Sequence, residues 1–399
     1  MKLLIVAMPF SVHTARWIAQ INNLGWDIHL FTSIRSPLHP EIKDITLWYD
    51  IYGGKHHYDD GNIKLRKSIN IYSKKLKCYT DRGTNLISRY VNLYPYMLAK
   101  AIKEIKPDII HSMVFQGAGY FTLDAKKILK NNFPKWLATV WGSGIYHFQK
   151  FPKHNRKIRE LLKECDYYSC ECHRDVILAR KMGYKGKIAG VGPITGGFDI
   201  QEISALRQVT KPSKRKTIMV KGYHGWAGRA LVSLKVLEQC SDLLKGYKVV
   251  IYSSSSIHKE LDKLIKSGKL NIEVVPEGSP HSEILRLHSQ SRAHLALSIT
   301  DGISASLLEA LTMGSFPIQS NTACADEWIK DGETGMIVPP EDVGVVANAL
   351  KKVLKDDDMV DRASEINFET AKKKLDNLLL KEKAINMYKS ILEDTPPKR

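Results

Sequence analysis

Residues 296–329 read ALSITDGISASLLEALTMGSFPIQSNTACADEWI, and the order of residue types in them points to a strand, a turn, a helix and a second strand. The apolar run Leu295 to Ile299 predicts a buried strand, which ends in the acidic turn Asp301-Gly302. The small residues Ser304, Ala305 and Ser306 then open a helix carrying Leu307, Leu308, Ala310 and Leu311. Gly314 stops that helix, and Phe316-Pro317-Ile318 begins a new strand. A strand, a turn with available amides and a helix N-terminus make a phosphate site. Glu309 lies one turn inside the helix, eight positions after Asp301, where a carboxylate can take the hydroxyls of a ribose or a sugar.

The same alternation extends in both directions. Lys2 to Ala7 is expected as a buried parallel strand, His13 to Leu24 as a helix closed by Gly25, and Trp26 to Phe31 as a second strand. This βαβ opening begins a doubly wound domain. Further strands are expected at 108–112, 136–140 and 167–172, with helices at 86–105, 119–129, 156–164 and 175–182. Between Ser36 and Thr84 the pattern weakens into loops and short elements, as in KHHYDDGNIKLRKS. A polar, basic linker is expected from about Gly196 to Arg215, and alternation restarts at Thr217. Helices at 230–244, 257–267, 282–291 and 306–313 then interleave with strands at 248–252, 271–275, 293–298 and 316–319. Two final helices are expected, near 343–355 and 370–392. The expected fold class is α/β, with Rossmann-like domains at 1–205 and 212–377.

A chain of 399 residues, 43% of them hydrophobic, is long enough for two ordinary cores. Lys and Arg number 60 against 42 Asp and Glu, and the net charge of +18 favours anionic partners. Nucleotide-sugars, lipid-linked phosphates, phospholipid head groups and nucleic acid all qualify, but no nucleic-acid motif accompanies the charge, so nucleic acid is not expected. Of the six cysteines only Cys170 and Cys172 are closely spaced, and no second pair completes a zinc site. All six are expected as reduced thiols of a cytoplasmic protein. The opening MKLLIVAMPF stops being apolar at Phe10 and reads as a first strand rather than a signal peptide. No run of eighteen apolar residues exists to span a membrane.

The 296–329 stretch resembles the donor-site signature of the retaining family-4 glycosyltransferases. That signature is Glu-x7-Glu, then a helix, an Ala-x-x-x-Gly-x-Pro stretch and a strand. Glu309 matches the second Glu, Ala310, Gly314 and Pro317 keep the frame, and Asp301 stands in place of the first Glu. The downstream DGETGMIVPPED, Asp331 to Asp342, matches the usual continuation. The resemblance implies a GT-B fold, two Rossmann-like domains facing each other across a cleft, with a final helix (about 378–399) returning to the first domain.

The resemblance also implies roles. Glu309 would hold the ribose of a nucleotide-sugar, and Asp301 the donor sugar, although an Asp before Gly302 is also a common turn former. Amides of Gly302, Ile303, Ser304, Ala305 and Ser306 would face the diphosphate or sugar. In VKGYHGWAGRALVSLK the family's phosphate-binding Arg and Lys are displaced. Arg229 falls near the position of the Lys and Tyr223 near that of the Arg, so Lys221, beside Gly222, is the second candidate cation. Lys235 reads as a solvated charge. The loop at Glu277 would sit by the nucleobase. Trp141 replaces the family's usual His in the first domain, which leaves His111 and His13 as candidate catalytic histidines. Ser11, Arg16 and Trp141 would line the acceptor site, with Ser11 or Thr14 also able to cap the helix.

The resemblance implies that no metal is needed, since in GT-B enzymes positive side chains and helix N-termini stabilise the leaving diphosphate in its place. The basic segments KLRKS, YSKKLK and KFPKHNRKIR, interleaved with aromatics, suit an anionic membrane surface, the inner face of the cytoplasmic membrane, or simply a solvated face. The expected activity is retaining transfer of a sugar to a glycan or lipid-linked glycan, as in bacterial-type surface polysaccharide synthesis. The rivals are an inverting GT-B transferase or epimerase, and a degenerate nucleotide-sugar-binding protein.

Overall fold

The computed structural model describes residues 1–48, 62–66, 93–130 and 133–394. The chain divides into two compact units, Met1–Gly196 with Lys381–Arg399, and Gly197–Leu380.

The first unit is built on a parallel sheet of β1 (Lys2–Ala7), β2 (Asp27–Thr32), β3 (Thr46–Trp48), β4 (Lys64–Arg66), β5 (Ile109–Met113), β6 (Lys135–Val140), β7 (Tyr167–Cys170) and β8 (Lys187–Val191). Their order is β4-β3-β2-β1-β5-β6-β7-β8. The order reverses direction beside β1, the point at which such sheets open a crevice at their strand ends. β1 is apolar along its length because the sheet buries both of its faces, and Leu3 to Ala7 are fully inaccessible. One core layer gathers Leu4, Val6, Ile110, Trp136 and Tyr168. The other holds Leu3, Ile5, Trp17, Leu137 and, from the last helix, Tyr388 and Ile391.

The second unit has a parallel sheet of β9 (Thr217–Lys221), β10 (Lys248–Tyr252), β11 (Asn271–Val274), β12 (Ala293–Ala296), β13 (Phe316–Ser320) and β14 (Met336–Val338). Its order is β11-β10-β9-β12-β13-β14, so the switch falls between β9 and β12. Every residue from Ser306 to Met313 on the Ala305–Met313 helix is buried, which explains its apolar surface all round.

Three readings of the sequence differ from the structure. The expected linker is ordered: Ile200–Leu206 is helical, and residues 197–205 cluster with the second unit rather than the first. Two arginines tie this stretch down. Arg207 donates to the Thr312 carbonyl at 2.8 Å, and Arg215 to the Gly314 carbonyl at 3.2 Å, closing the open end of the Ala305–Met313 helix. Basic residues that look like linker solvation thus serve as helix caps. The expected 370–392 helix is two helices, Asp357–Lys374 and Asn377–Glu393, broken at Leu375 and Asp376. Strands β8 and β14 have no counterpart in the sequence reading. Most of the weakly patterned segment 36–84 lies outside the described residues, as do residues 86–92 of the expected 86–105 helix, Cys78 and residues 395–399.

Candidate active site

In the second unit the carboxyl ends of β9 and β12 bring the predicted residues together. β9 ends at Lys221, and Gly222 follows so close to β10 that a Cβ there would meet the Ser254 Cα and the Tyr252 carbonyl at 2.9 Å. The loop 223–229 folds back onto the end of β12. The Arg229 amide donates to the Leu297 carbonyl, and the Ile299 amide to the Ala227 carbonyl, each at 2.9 Å. This pins the glycine-rich loop beside the Asp301–Ser304 turn.

Lys221 reaches across to that turn, its Nζ 3.5 Å from the Ser306 Oγ. The Ser304 and Ser306 hydroxyls pair at 2.8 Å. Asp301 folds its carboxylate back onto the Gly302 amide at 2.9 Å, so its turn-forming role is real, and its side chain is half-buried. Gly302, Ile303, Ser304 and Ser306 are buried, and Ala305 begins the helix. A helix N-terminus, two hydroxyls and an ammonium group therefore converge, a composition suited to phosphate oxygens.

Arg229 stands at the start of the Ala230–Gln239 helix. Its Nε donates to Glu341 at 2.8 Å and its Nη1 to the Gly228 carbonyl at 3.0 Å. The guanidinium is already engaged, and an anion would compete with Glu341 for it. The Glu277 carboxylate accepts the Ser255 amide at 3.0 Å, so its side chain braces a loop.

Glu309 has the most unusual surroundings. Its Oε1 lies 2.8 Å from His281 Nε2, and its Oε2 3.7 Å from His288 Nε2. Behind them the His288 and His294 rings stand 4.7 Å apart, and His294 Nε2 is 3.0 Å from the Tyr252 hydroxyl. Burial acts to raise the Glu309 pKa, but the His281 hydrogen bond and the electrostatic influence of His281 and His288 outweigh it and hold the carboxyl well below the usual carboxylate range. Glu309 is therefore a carboxylate at neutral pH, an acceptor able to take hydroxyls. The sequence reading did not single out either histidine. The signal was their spacing of seven, two turns along the His281–Gln290 helix, which places both on one face.

In the first unit the predicted residues separate. His111 lies within β5, not at its end, paired in register with Ile5 and Leu137. It is fully buried, with Nδ1 2.6 Å from the Tyr388 hydroxyl and Nε2 2.6 Å from the Thr139 hydroxyl. Desolvation pulls its pKa down to about 3. His111 is thus a neutral core histidine with both nitrogens engaged, which overturns its candidacy as a catalytic residue. Its role is to join the last helix to the sheet, since the Tyr388 hydroxyl also accepts from Trp17 Nε1 at 2.8 Å.

His13 and Trp141 do meet, at the carboxyl ends of β1 and β6, ring centroids 5.5 Å apart and edge to face. Both are half-buried, and the Trp141 indole nitrogen is buried with no hydrogen-bond partner. The Ser11 hydroxyl accepts the His13 amide at 3.2 Å and caps the Val12–Ala19 helix, so its side chain serves the backbone. Arg16 is half-buried on that helix. The sequence reading missed Glu171, a buried carboxylate after β7 that accepts the Gly142 amide at 3.2 Å and holds the turn following Trp141.

Two parallel sheets of this order, each with polar residues gathered at its strand ends, define a GT-B protein. Solved structures share the fold. Sucrose-phosphate synthase from Thermosynechococcus elongatus superposes with a TM-score of 0.68 at 13% identity, covering 98% of this chain and 99% of its own. A glycosyltransferase from Rickettsia africae gives 0.63 at 18% identity, with 99% of both chains covered. Anabaena HepE in complex with UDP-glucose gives 0.67 at 12% identity, with 98% of this chain and all of the other covered. No curated sequence matches the chain. The profile described as Glycosyl transferases group 1 matches residues 203–370, and that described as Glycosyl transferase 4-like matches residues 72–167. Residues 203–370 therefore form a group 1 glycosyltransferase domain, and the chain is an enzyme of the transferase class.

Proposed function

We propose that this glycosyltransferase moves a sugar from a nucleoside-diphosphate sugar to a hydroxyl of a glycan or lipid-linked glycan, with retention at the anomeric carbon. The observation that carries the reading is Glu309, ionised and buried one turn inside a helix whose first turn holds Ser304, Ser306 and the Lys221 ammonium group. The carboxylate would accept the ribose hydroxyls. The helix amides, Lys221 and Arg229 would receive the diphosphate, and Asp301 the donor sugar. With those cations at the phosphates, transfer would proceed without a divalent metal.

The step itself is a substitution at the anomeric carbon. The bond from that carbon to the phosphate oxygen breaks, and its electron pair stays on the diphosphate. The acceptor oxygen bonds on the same face, and its proton passes to the departing phosphate oxygen. No enzymic nucleophile is needed. His13 and Trp141 are the first unit's candidates for acceptor contact.

The structural neighbours support UDP as the first nucleotide to test, since HepE is described with UDP-glucose and an Escherichia coli neighbour with UDP-2-fluoro glucose. A lipid-linked acceptor for surface polysaccharide synthesis draws its support from the +18 charge and from exposed Phe151 among Lys150, Lys153 and Arg156. No described helix is long and apolar enough to cross a membrane, so any membrane contact would be peripheral.

The test is thermal shift with UDP-, GDP-, ADP-, CMP- and dTDP-sugars in metal-free buffer, wild type beside Glu309→Ala. One nucleotide family should raise Tm in the wild type by several degrees and have no effect on the variant. A shift that survives in Glu309→Ala would refute the assignment of the donor site.

A further inference from the structure

We infer that His281 is a positioning residue of the donor site, setting the Glu309 carboxylate for a vicinal diol and so for a ribose over a sugar lacking one. The inference rests on the reading of Glu309 as the ribose ligand.

A glutamate carboxylate turns easily about its last torsion, which is broad and two-fold. Two hydroxyls on adjacent carbons need both of its oxygens presented together in one plane. The protein supplies two histidines for this, and they differ. His288 is fully buried, backed by His294 and Tyr252, and faces Oε2 from 3.7 Å. It forms a fixed inner wall. His281 is the first residue of its helix, has a side chain 37% exposed, and makes a full hydrogen bond to Oε1 at 2.8 Å.

An ionised carboxylate only accepts, so His281 Nε2 carries the proton and donates. Each carboxylate oxygen offers about two lone-pair directions. His281 occupies one on Oε1, turns the plane and leaves the remaining directions on both oxygens for the two hydroxyls. The bond is charge-assisted and partly shielded from water, the setting in which such bonds are strongest. Among the described residues the only hydrogen bond or ion pair of the His281 side chain is the one to Glu309, so its effect should fall on the ribose rather than on the diphosphate.

The experiment compares UDP and GDP with their 2′,3′-dideoxy analogues by calorimetric titration, with inorganic pyrophosphate as a ribose-free control. The wild type should prefer the nucleotide that carries the diol by about tenfold or more, the worth of one or two hydrogen bonds to a charged group. Glu309→Ala should abolish that preference. His281→Ala should reduce it by about tenfold while leaving pyrophosphate affinity unchanged. His281→Gln should restore it, because its side-chain amide N–H reaches Oε1 in place of Nε2, whereas the shorter His281→Asn should not. With a turnover assay in hand, His281→Ala should raise the donor KM and leave kcat near wild type.

His281→Ala keeping the wild-type preference while Glu309→Ala loses it would overturn the role of His281 and leave Glu309 standing. Glu309→Ala keeping the preference, or a wild type that binds none of these nucleotides, would overturn both readings. If His281→Ala lowers Tm, the Gln and Asn variants carry the same comparison.

Discussion

Glu309 and Arg229 are both charged residues of the second unit, yet they meet their surroundings in opposite ways. Glu309 is buried and held ionised by histidines, so its charge is built in. Arg229 is held by Glu341, a residue 66% exposed, in an ion pair that an incoming anion can exchange. Exposed pairs of this kind contribute little, so Glu341→Gln is expected to tighten pyrophosphate binding by about two- to fivefold at low salt. Arg229→Ala should weaken it, and calorimetry of both variants checks the sign. A Glu341→Gln variant that bound pyrophosphate more weakly would show that Arg229 needs its partner for orientation. At this scale the sequence was informative where a residue's role depends on near neighbours. Asp301 beside Gly302, and Glu309 inside a helix start, were legible for that reason. His111 was not, because its partners Tyr388 and Thr139 come from distant strands and helices.

Among the elements, the Ala305–Met313 helix depends on how it ends. Gly314 adopts φ +81°, and a Cβ there would lie 2.5 Å from the Ser364 Oγ. Gly25 has φ +70° with no atom within 4 Å of the same position. Gly25→Ala should cost about 1 kcal/mol from backbone strain alone. Gly314→Ala should cost roughly 1–3 kcal/mol more, since overpacking adds to the strain. Urea titration of the two variants tests this, and equal losses would mean that Ser364 yields freely. The helix and its stop were readable from Gly314 and the new strand at Phe316. The arginine caps from residues 207 and 215 were not, because a basic stretch looks the same whether it is solvated or bonded to carbonyls far along the chain.

For the whole molecule, buried neutral histidines make stability depend on pH. His111 has its pKa lowered to about 3 from an ordinary value of 6.5, and burial lowers those of His29 and His294 as well. Between the two values the unfolded chain binds the proton that the folded chain refuses, so stability falls as pH falls. It is complete above about pH 6.5 and is lost toward about pH 3, at up to roughly 1.4 kcal/mol per pH unit for each such histidine. Glu309 acts in the same direction at lower pH, its contribution present above its unfolded value of about 4.5 and lost as pH falls below it. Tm should therefore decline steadily from pH 7 to pH 5, and a flat profile would contradict the burial of these groups. At the surface, the +18 charge predicts co-sedimentation with phosphatidylglycerol vesicles that fades as salt rises. Phe151→Ala should weaken it, and no binding at low salt would remove the membrane surface as a partner.

Residue order alone was enough to read the alternation of strands and helices, the doubling into two parallel sheets and the helix that carries Glu309. Each of these follows from periodicity, turn residues and short-range order, which the chain carries locally. It took the folded arrangement to show that His111 belongs to the core, that residues 197–205 join the second unit, and that His281 and His288 flank Glu309. These outcomes depend on which groups face one another once the sheets form. Burial and hydrogen-bond partnership across long sequence separations then choose between one residue type's structural and chemical uses.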